Sequence, residues 1–219
     1  MTFKAPDSLA EQIAHHLDER IIRGELKPGE RIQEQKVTLA LNVSRGSVRE
    51  ALLILERRHL IAILPRRGAH VTQITAHNVT SLCTLMSEMY ILLGNAVAQR
   101  WAVQADLGPF LQIQQRLTAS LERKDISAFV DDSFNVMRAA YPFADNPYLQ
   151  ETIENLQPAM SRAYYLALDQ RKAEMSEFLA LFAQLLEAVM ARDLPHIRVV
   201  LSRYAQRSCE LVLSALTVA

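Results

Sequence analysis

The sequence predicts a mainly α chain: an N-terminal winged helix-turn-helix over residues 1–74, then an antiparallel all-helical bundle of six to seven helices over residues 75–219. Three observations predict it. Leu and Ala abound while Gly is held to 6 residues and aromatics to 6%, a composition that suits helices. The segment Val37–Val71 reads as helix, sharp turn, helix and a small basic hairpin. From Ala76 onward the strand signals vanish and apolar residues recur at helical spacing.

The elements follow in order. Ser8 with Glu11 three residues on is a capping-box pattern, and Leu9, Ile13, Leu17 and Ile21 then give one apolar stripe. Gly24 ends that helix, and Leu26-Lys27-Pro28-Gly29 is a turn. A short helix covers about Glu34 to Leu41, with Asn42 suited to the left-handed conformation of a sharp turn. Ser44 is an N-cap for the next helix, although Ser47 with Glu50 also matches a capping box three residues later. Val48, Ala51, Leu52 and Leu55 form its buried face. Leu60–Leu64 reads as a strand, Pro65–Gly68 as a tight turn and Ala69–Thr72 as the returning strand. A short linker, about Gln73–Thr75, leads to six helices near 76–102, 107–123, 126–141, 147–169, 171–192 and 195–216. Asp106, Pro109, Asp125, Asn146-Pro147 and Asp193-Leu194-Pro195 punctuate them. Connections this short place consecutive helices antiparallel.

Composition narrows the function. A chain of 219 residues, half of them apolar, has material for two small cores, and 22% charged residues exclude wholesale disorder. Net charge is zero, but residues 1–74 hold 12 Lys+Arg against 9 Asp+Glu, and the remainder 12 against 15. Clustering matters more for phosphate than the total. Between Ser44 and Arg67 stand six arginines (Arg45, Arg49, Arg57, Arg58, Arg66, Arg67) and two glutamates (Glu50, Glu56). Two distant cysteines, Cys83 and Cys209, offer no disulfide framework and suit a reducing compartment. MTFKAPDSLAEQ lacks an apolar signal core, and no apolar stretch approaches the about 20 residues that span a bilayer. The expectation is a cytoplasmic protein without a membrane partner.

In a helix-turn-helix, the first turn of the second helix meets base edges in the major groove. Ser44, Arg45, Gly46, Ser47 and Arg49 occupy that region. Arg45 or Arg49 has the fork to grip guanine O6 and N7, Ser44 and Ser47 suit phosphate or base contacts, and Gly46 lets the backbone come close. Arg66 and Arg67 in the wing suit a narrow minor groove or phosphate. No catalytic constellation stands out. His15, His16, His59, His70, His77 and His196 form no HExxH or Cys/His cluster, and the bundle methionines read as core filler. Neither an enzyme nor a cofactor is expected.

Residues 8–72 resemble the winged helix-turn-helix of the GntR superfamily, through SLAEQIAHHLDERIIRGELKPGERI, LALNVSRGSVREALLILERRHLI and PRRGAHV. The resemblance implies DNA contacts from Gln35, Ser44, Arg45, Ser47, Arg49, Arg66, Arg67 and Gly68; many members carry a basic residue where this chain has Gln35. The remainder is similar to the helical FCD ligand-binding domain of the FadR branch, through DDSFNVMRAAYPFADNPYLQETI and LLEAVMARDLPHIRVVLSRYAQRSCEL. That family holds a divalent metal with the Asp and His of DxxFHxxL and two later histidines. Here Asp131 and Phe134 are kept, Asn135 replaces the first histidine, and Phe182 and Tyr204 fall at the other two. Met86 stands where an effector-gripping Arg is usual. The implied bundle has lost its metal, and its pocket is more apolar than the family norm. Met86, Asp131, Asn135, Arg138, Phe182 and Tyr204 either line an effector cavity or are ordinary core and surface residues.

The expected function is a sequence-specific DNA-binding transcription regulator, a repressor by the family's common outcome. It would be a homodimer on a pseudo-palindromic double-stranded operator, controlled by a small-molecule effector in the bundle. The alternative is an architectural or interaction protein that uses its winged helix without sequence-specific regulation.

Overall fold

The computed structural model describes residues 8–218, with the side chains of 169–173 and 218 outside the description. Nine α-helices and three short strands follow one another among the described residues. Contacts divide the chain into two compact units. One holds the residues up to Ile74 together with Glu154–Tyr165; the other holds Thr75–Ile153 and the residues from Leu166.

In the first unit, α1 (Leu9–Ile22) opens on the expected capping box: Glu11 N donates to Ser8 Oγ at 3.2 Å, and Ser8 N to Glu11 Oε2 at 3.1 Å. α2 (Glu34–Leu41) ends at Asn42, which adopts the left-handed conformation at φ 51°. α3 (Arg45–Arg57) is capped by Ser44, whose Oγ accepts from Ser47 N at 3.0 Å. The choice between the two caps falls on Ser44. The strands β1 (Arg31–Ile32), β2 (Ile61–Leu64) and β3 (Gly68–Val71) form an antiparallel sheet in the order β1-β3-β2. β1 lies outside every strand expected from the sequence, because two residues carry no periodicity of their own and the strand exists only through pairing with His70 and Ala69.

Ile13, Leu17 and Ile21 of α1 bury against Val48, Leu52 and Leu55 of α3, with Leu60 and, from the sheet, Ile61 and Val71 closing the core. Each such aliphatic side chain contributes about 1.5–3 kcal/mol. Asp18 is buried among them, and one of its carboxylate oxygens accepts from Arg58 at the end of α3. Burial raises the Asp18 pKa, against the opposing pull of the Arg58 charge. Arg162, from the helix segment that belongs to this unit, is 5% exposed and donates from one Nη to Thr72 O at 2.9 Å and Thr72 Oγ1 at 3.0 Å. Burial pushes its pKa down to about 10, which leaves it cationic at neutral pH.

The second unit begins with α4 (Ala76–Arg100), then a 3₁₀ turn (Gln104–Leu107), α5 (Gly108–Arg123), α6 (Ile126–Ala144), α7 (Pro147–Leu166, of which residues 154–165 belong to the first unit), α8 (Leu168–Met190) and α9 (Leu194–Val218). α4 packs on α9, α6 and α8; α5 packs on α6, and α8 on α9. α6 runs three residues past its expected end, through Pro142, because a proline in the last turn removes only one helical hydrogen bond. Between α7 and α8 the break is the single residue Ala167.

α4 corrects one expectation. Its 25 residues include an 18-residue window of mean hydropathy 1.3, long and apolar enough to cross a membrane by length and composition. Val79, Met86, Tyr90, Leu93 and Val97 go into the bundle core, while Leu85 and Leu92 stay exposed.

Candidate nucleic-acid interface and bundle cavity

The start of α3 forms an exposed cationic face. Ser44, Arg45, Gly46 and Arg49 are exposed and Ser47 is half-buried, while Val48, Ala51 and Leu52 fix the opposite face in the core. Ser44 Oγ and Ser47 Oγ lie 2.9 Å apart, so both hydroxyls are held at the helix start. Arg49 keeps 69% of its side chain exposed, and its Nε donates to Glu34 Oε2 of α2 at 2.9 Å. Gln35 follows Glu34 on α2 and is exposed. A Cβ at Gly46 would meet only Ser44 Oγ, at 3.6 Å, so packing inside the protein does not demand a glycine there.

The wing is the β2–β3 hairpin. Arg67 N donates to Leu64 O at 3.0 Å, and Arg66 and Gly68 take positive φ of 62° and 83° to close the turn. Arg66 and Arg67 are exposed at its tip, and Gly68 is half-buried. Arg31 of β1 adds a cation that sequence reasoning missed. Its guanidinium lies beside Gly68, with Nε 3.6 Å from where a glycine Cβ would stand. The GERI segment held the residue, but only strand pairing brings it to the wing.

A cavity of about 80 Å³, partly open to solvent, lies inside the second unit. α6 turns its Ser133–Val136–Met137–Ala140 stripe toward it, and α4 contributes Tyr90, Gly94 and Val97. Phe182 of α8 and Tyr204 of α9 line it as well, joined through Phe178, whose ring centroid stands 6.5 Å from Phe182 and 5.2 Å from Tyr204.

The other four effector candidates lie off this cavity. Met86 is buried one turn earlier on α4. Asp131 and Arg138 are exposed, and half-buried Asn135 donates to Asp132 Oδ1 at 3.1 Å and accepts from Arg138 at 3.0 Å. Asp132 in turn accepts from Arg116 of α5 at 2.8 Å.

These residues do not fit the divalent metal that the FCD resemblance implies. Asn135 commits its amide to neighbours on its own helix, and Phe182 and Tyr204 stand in an aromatic cluster. No group of three or more His, Cys, Asp or Glu side chains among the described residues is placed to hold a metal ion. A lone carboxylate with an amide makes a poor site for a transition metal.

A helix-turn-helix with an exposed arginine face and a basic wing, followed by a helical bundle around a cavity, defines a DNA-binding regulator of transcription. The family described as bacterial regulatory proteins, gntR family, matches residues 9–71, and the FCD domain matches residues 85–207. The chain belongs to the gntR family of regulators and carries an FCD domain. Proteins so built bind DNA through the first part and small-molecule effectors through the second.

It is 30% identical over 162 residues to the HTH-type transcriptional repressor RspR of Escherichia coli strain K12, covering 73% of this chain and 69% of that one. Identity to the HTH-type transcriptional regulator McbR of the same strain is 25% over 206 residues, covering 94% and 93%. The gluconate operon transcriptional repressor of Bacillus subtilis strain 168 shares 27% over 170 residues, covering 76% and 68%. In fold, the chain matches the solved structure of E. coli McbR/YncC with a TM-score of 0.80 at 22% identity, covering 95% of this chain and 99% of that one. A GntR regulator from Rhodococcus sp. RHA1 matches at 0.74 and 21%, with the same coverage.

Proposed function

We propose that this regulator is a cytoplasmic repressor that acts as a homodimer on a pseudo-palindromic operator, and that a small molecule in the bundle cavity controls its hold on DNA. The exposed arginine pair at the start of α3 carries the reading. Arg45 and Arg49 project where a recognition helix enters the major groove, with Ser44 and Ser47 beside them. Gln35 approaches from α2, and Arg66, Arg67, Gly68 and Arg31 form the wing side of the same footprint. A single winged domain makes few base contacts, so two symmetric copies reading two half-sites supply the specificity. The effector acts by binding one arrangement of the dimer more tightly than the other. No feature of the face or the cavity calls for catalysis.

Selection of bound duplexes from a random pool tests this reading. The expected product is an enriched motif with twofold symmetry. Arg45→Ala and Arg49→Ala should each cost about 1–3 kcal/mol of discrimination at one position in each half-site. A pool without an enriched motif would favour the architectural alternative.

A further inference from the structure

Resting on the reading of the bundle as an effector domain, we infer that its cavity takes a compact, uncharged apolar group, an aromatic ring or a branched hydrocarbon, held without a metal ion. Among the described residues that line it, none is Asp, Glu, Lys, Arg or His. The polar side chains in the wall are hydroxyls, and the Ser133 Oγ donates back to Val130 O of its own helix at 2.6 Å. A carboxylate or phosphate entering this space would lose its water and meet no cation, a cost far above what apolar contact returns. An apolar group meets instead the faces and edges of Phe178, Phe182 and Tyr204, arranged for aromatic contact with one another.

Size sets the second limit. Apolar cavities of about 150 Å³ stay dry and take benzene, whereas this one measures about 80 Å³ and is partly open. A branched alkyl group of a few carbons fits as the space stands. A single ring fits when half-buried Met137 and Leu185 shift, and the unbranched thioether of Met137 suits that adjustment. Any polar end of the molecule is uncharged, a hydroxyl for example, and faces the open side; an anionic end is excluded there as well, since no cation lines the wall among the described residues.

The test uses the full-length protein with toluene and isobutanol as neutral probes and benzoate, with and without zinc, as the charged one. Binding is read by ligand-observed NMR and by the shift in melting temperature. Ala140→Leu fills the space between α6 and α8, and Leu185→Phe, at a half-buried position, fills it from α8. The expected result is that a neutral probe binds the wild type at least about tenfold more tightly than either filled variant, while benzoate fails under both conditions. Binding of benzoate, or of zinc-dependent benzoate alone, overturns the proposal. So does a neutral probe that binds the filled variants as well as the wild type, or no neutral probe binding at all. The broader reading is judged separately by the selected operator. If zinc and benzoate shift operator affinity, effector control stands and the apolar class falls. If no operator emerges, the regulator reading falls whether or not toluene binds.

Discussion

Arg49 of α3 and Glu34 of α2 form an ion pair across the helix-turn-helix, with Nε to Oε2 at 2.9 Å. The pair occupies the Nε edge of the guanidinium and leaves the side chain 69% exposed. An arginine held in this way enters a groove with its orientation already chosen, at lower entropic cost than a free one.

Replacing the carboxylate tests that role. In the proposed binding mode, Glu34→Gln removes a negative charge from the face turned to DNA and loosens Arg49. Binding to random duplex should tighten, while preference for the selected site over single-base variants should fall by about 1–3 kcal/mol at the contacted position. Competition binding measures both. An unchanged preference would mean that Glu34 does not set the arginine's aim.

The cap of α3 makes a stability prediction. Ser44 Oγ accepts from Ser47 N at 3.0 Å, and an alanine leaves that donor to water. Ser44→Ala should cost about 1 kcal/mol of folding free energy. Urea denaturation measures it, and a variant as stable as the wild type removes the cap from the account.

The wing should behave differently from the recognition helix. Arg67→Ala should weaken binding to most sequences alike and reduce the salt slope of log affinity by about 1. Titrations at several salt concentrations separate this from a base-specific loss.

Arg162 belongs to the first unit although it is remote in sequence. Its two hydrogen bonds to Thr72 sit where the side chain is 5% exposed. Arg162→Met should destabilise by about 1–3 kcal/mol, and a double-mutant cycle with Thr72→Val should show coupling above about 0.5 kcal/mol. Strict additivity would contradict the pairing.

Asp18 predicts a pH dependence. Its pKa is raised in the folded state, by burial first, so the folded chain holds the extra proton between the ordinary aspartate value and the raised one. Stability from this group therefore falls as pH rises through that window and recovers on acidification. Against Asp18→Asn, the wild type should gain relative stability as pH falls from neutral into it. Denaturation of both proteins across that range measures the trend. A relative loss on acidification would mean that the Arg58 charge outweighs burial.

The local elements were legible because their causes are local. Ser8, Asn42 and Ser44 each act through their own side chain or backbone within a few residues, and each marks a helix end in the structure. β1 and the place of Arg31 were not legible, since both depend on a strand some 40 residues away. On α6, Asp131–Asn135–Arg138 and Ser133–Val136–Met137–Ala140 are both stripes at helical spacing, so periodicity alone does not choose which faces the cavity. In the structure Asp131 and Arg138 stay exposed while Ser133 and Ala140 are buried, so the second stripe is the inward one. The more apolar character of the second was the available signal, and counting from the family's metal motif passed over it.

At Gly94 the two longest helices approach so closely that an added Cβ would stand 3.0 Å from Ile197 Cγ2 and 3.1 Å from Leu201 Cδ1. Gly94 and Leu201 also border the cavity. A methyl group there would require the ends of the Ile197 and Leu201 side chains to give by a few tenths of an ångström, and Leu201 is itself part of the cavity wall. One missing side chain thus sets how near α4 and α9 come, and with it the width of the chamber between them.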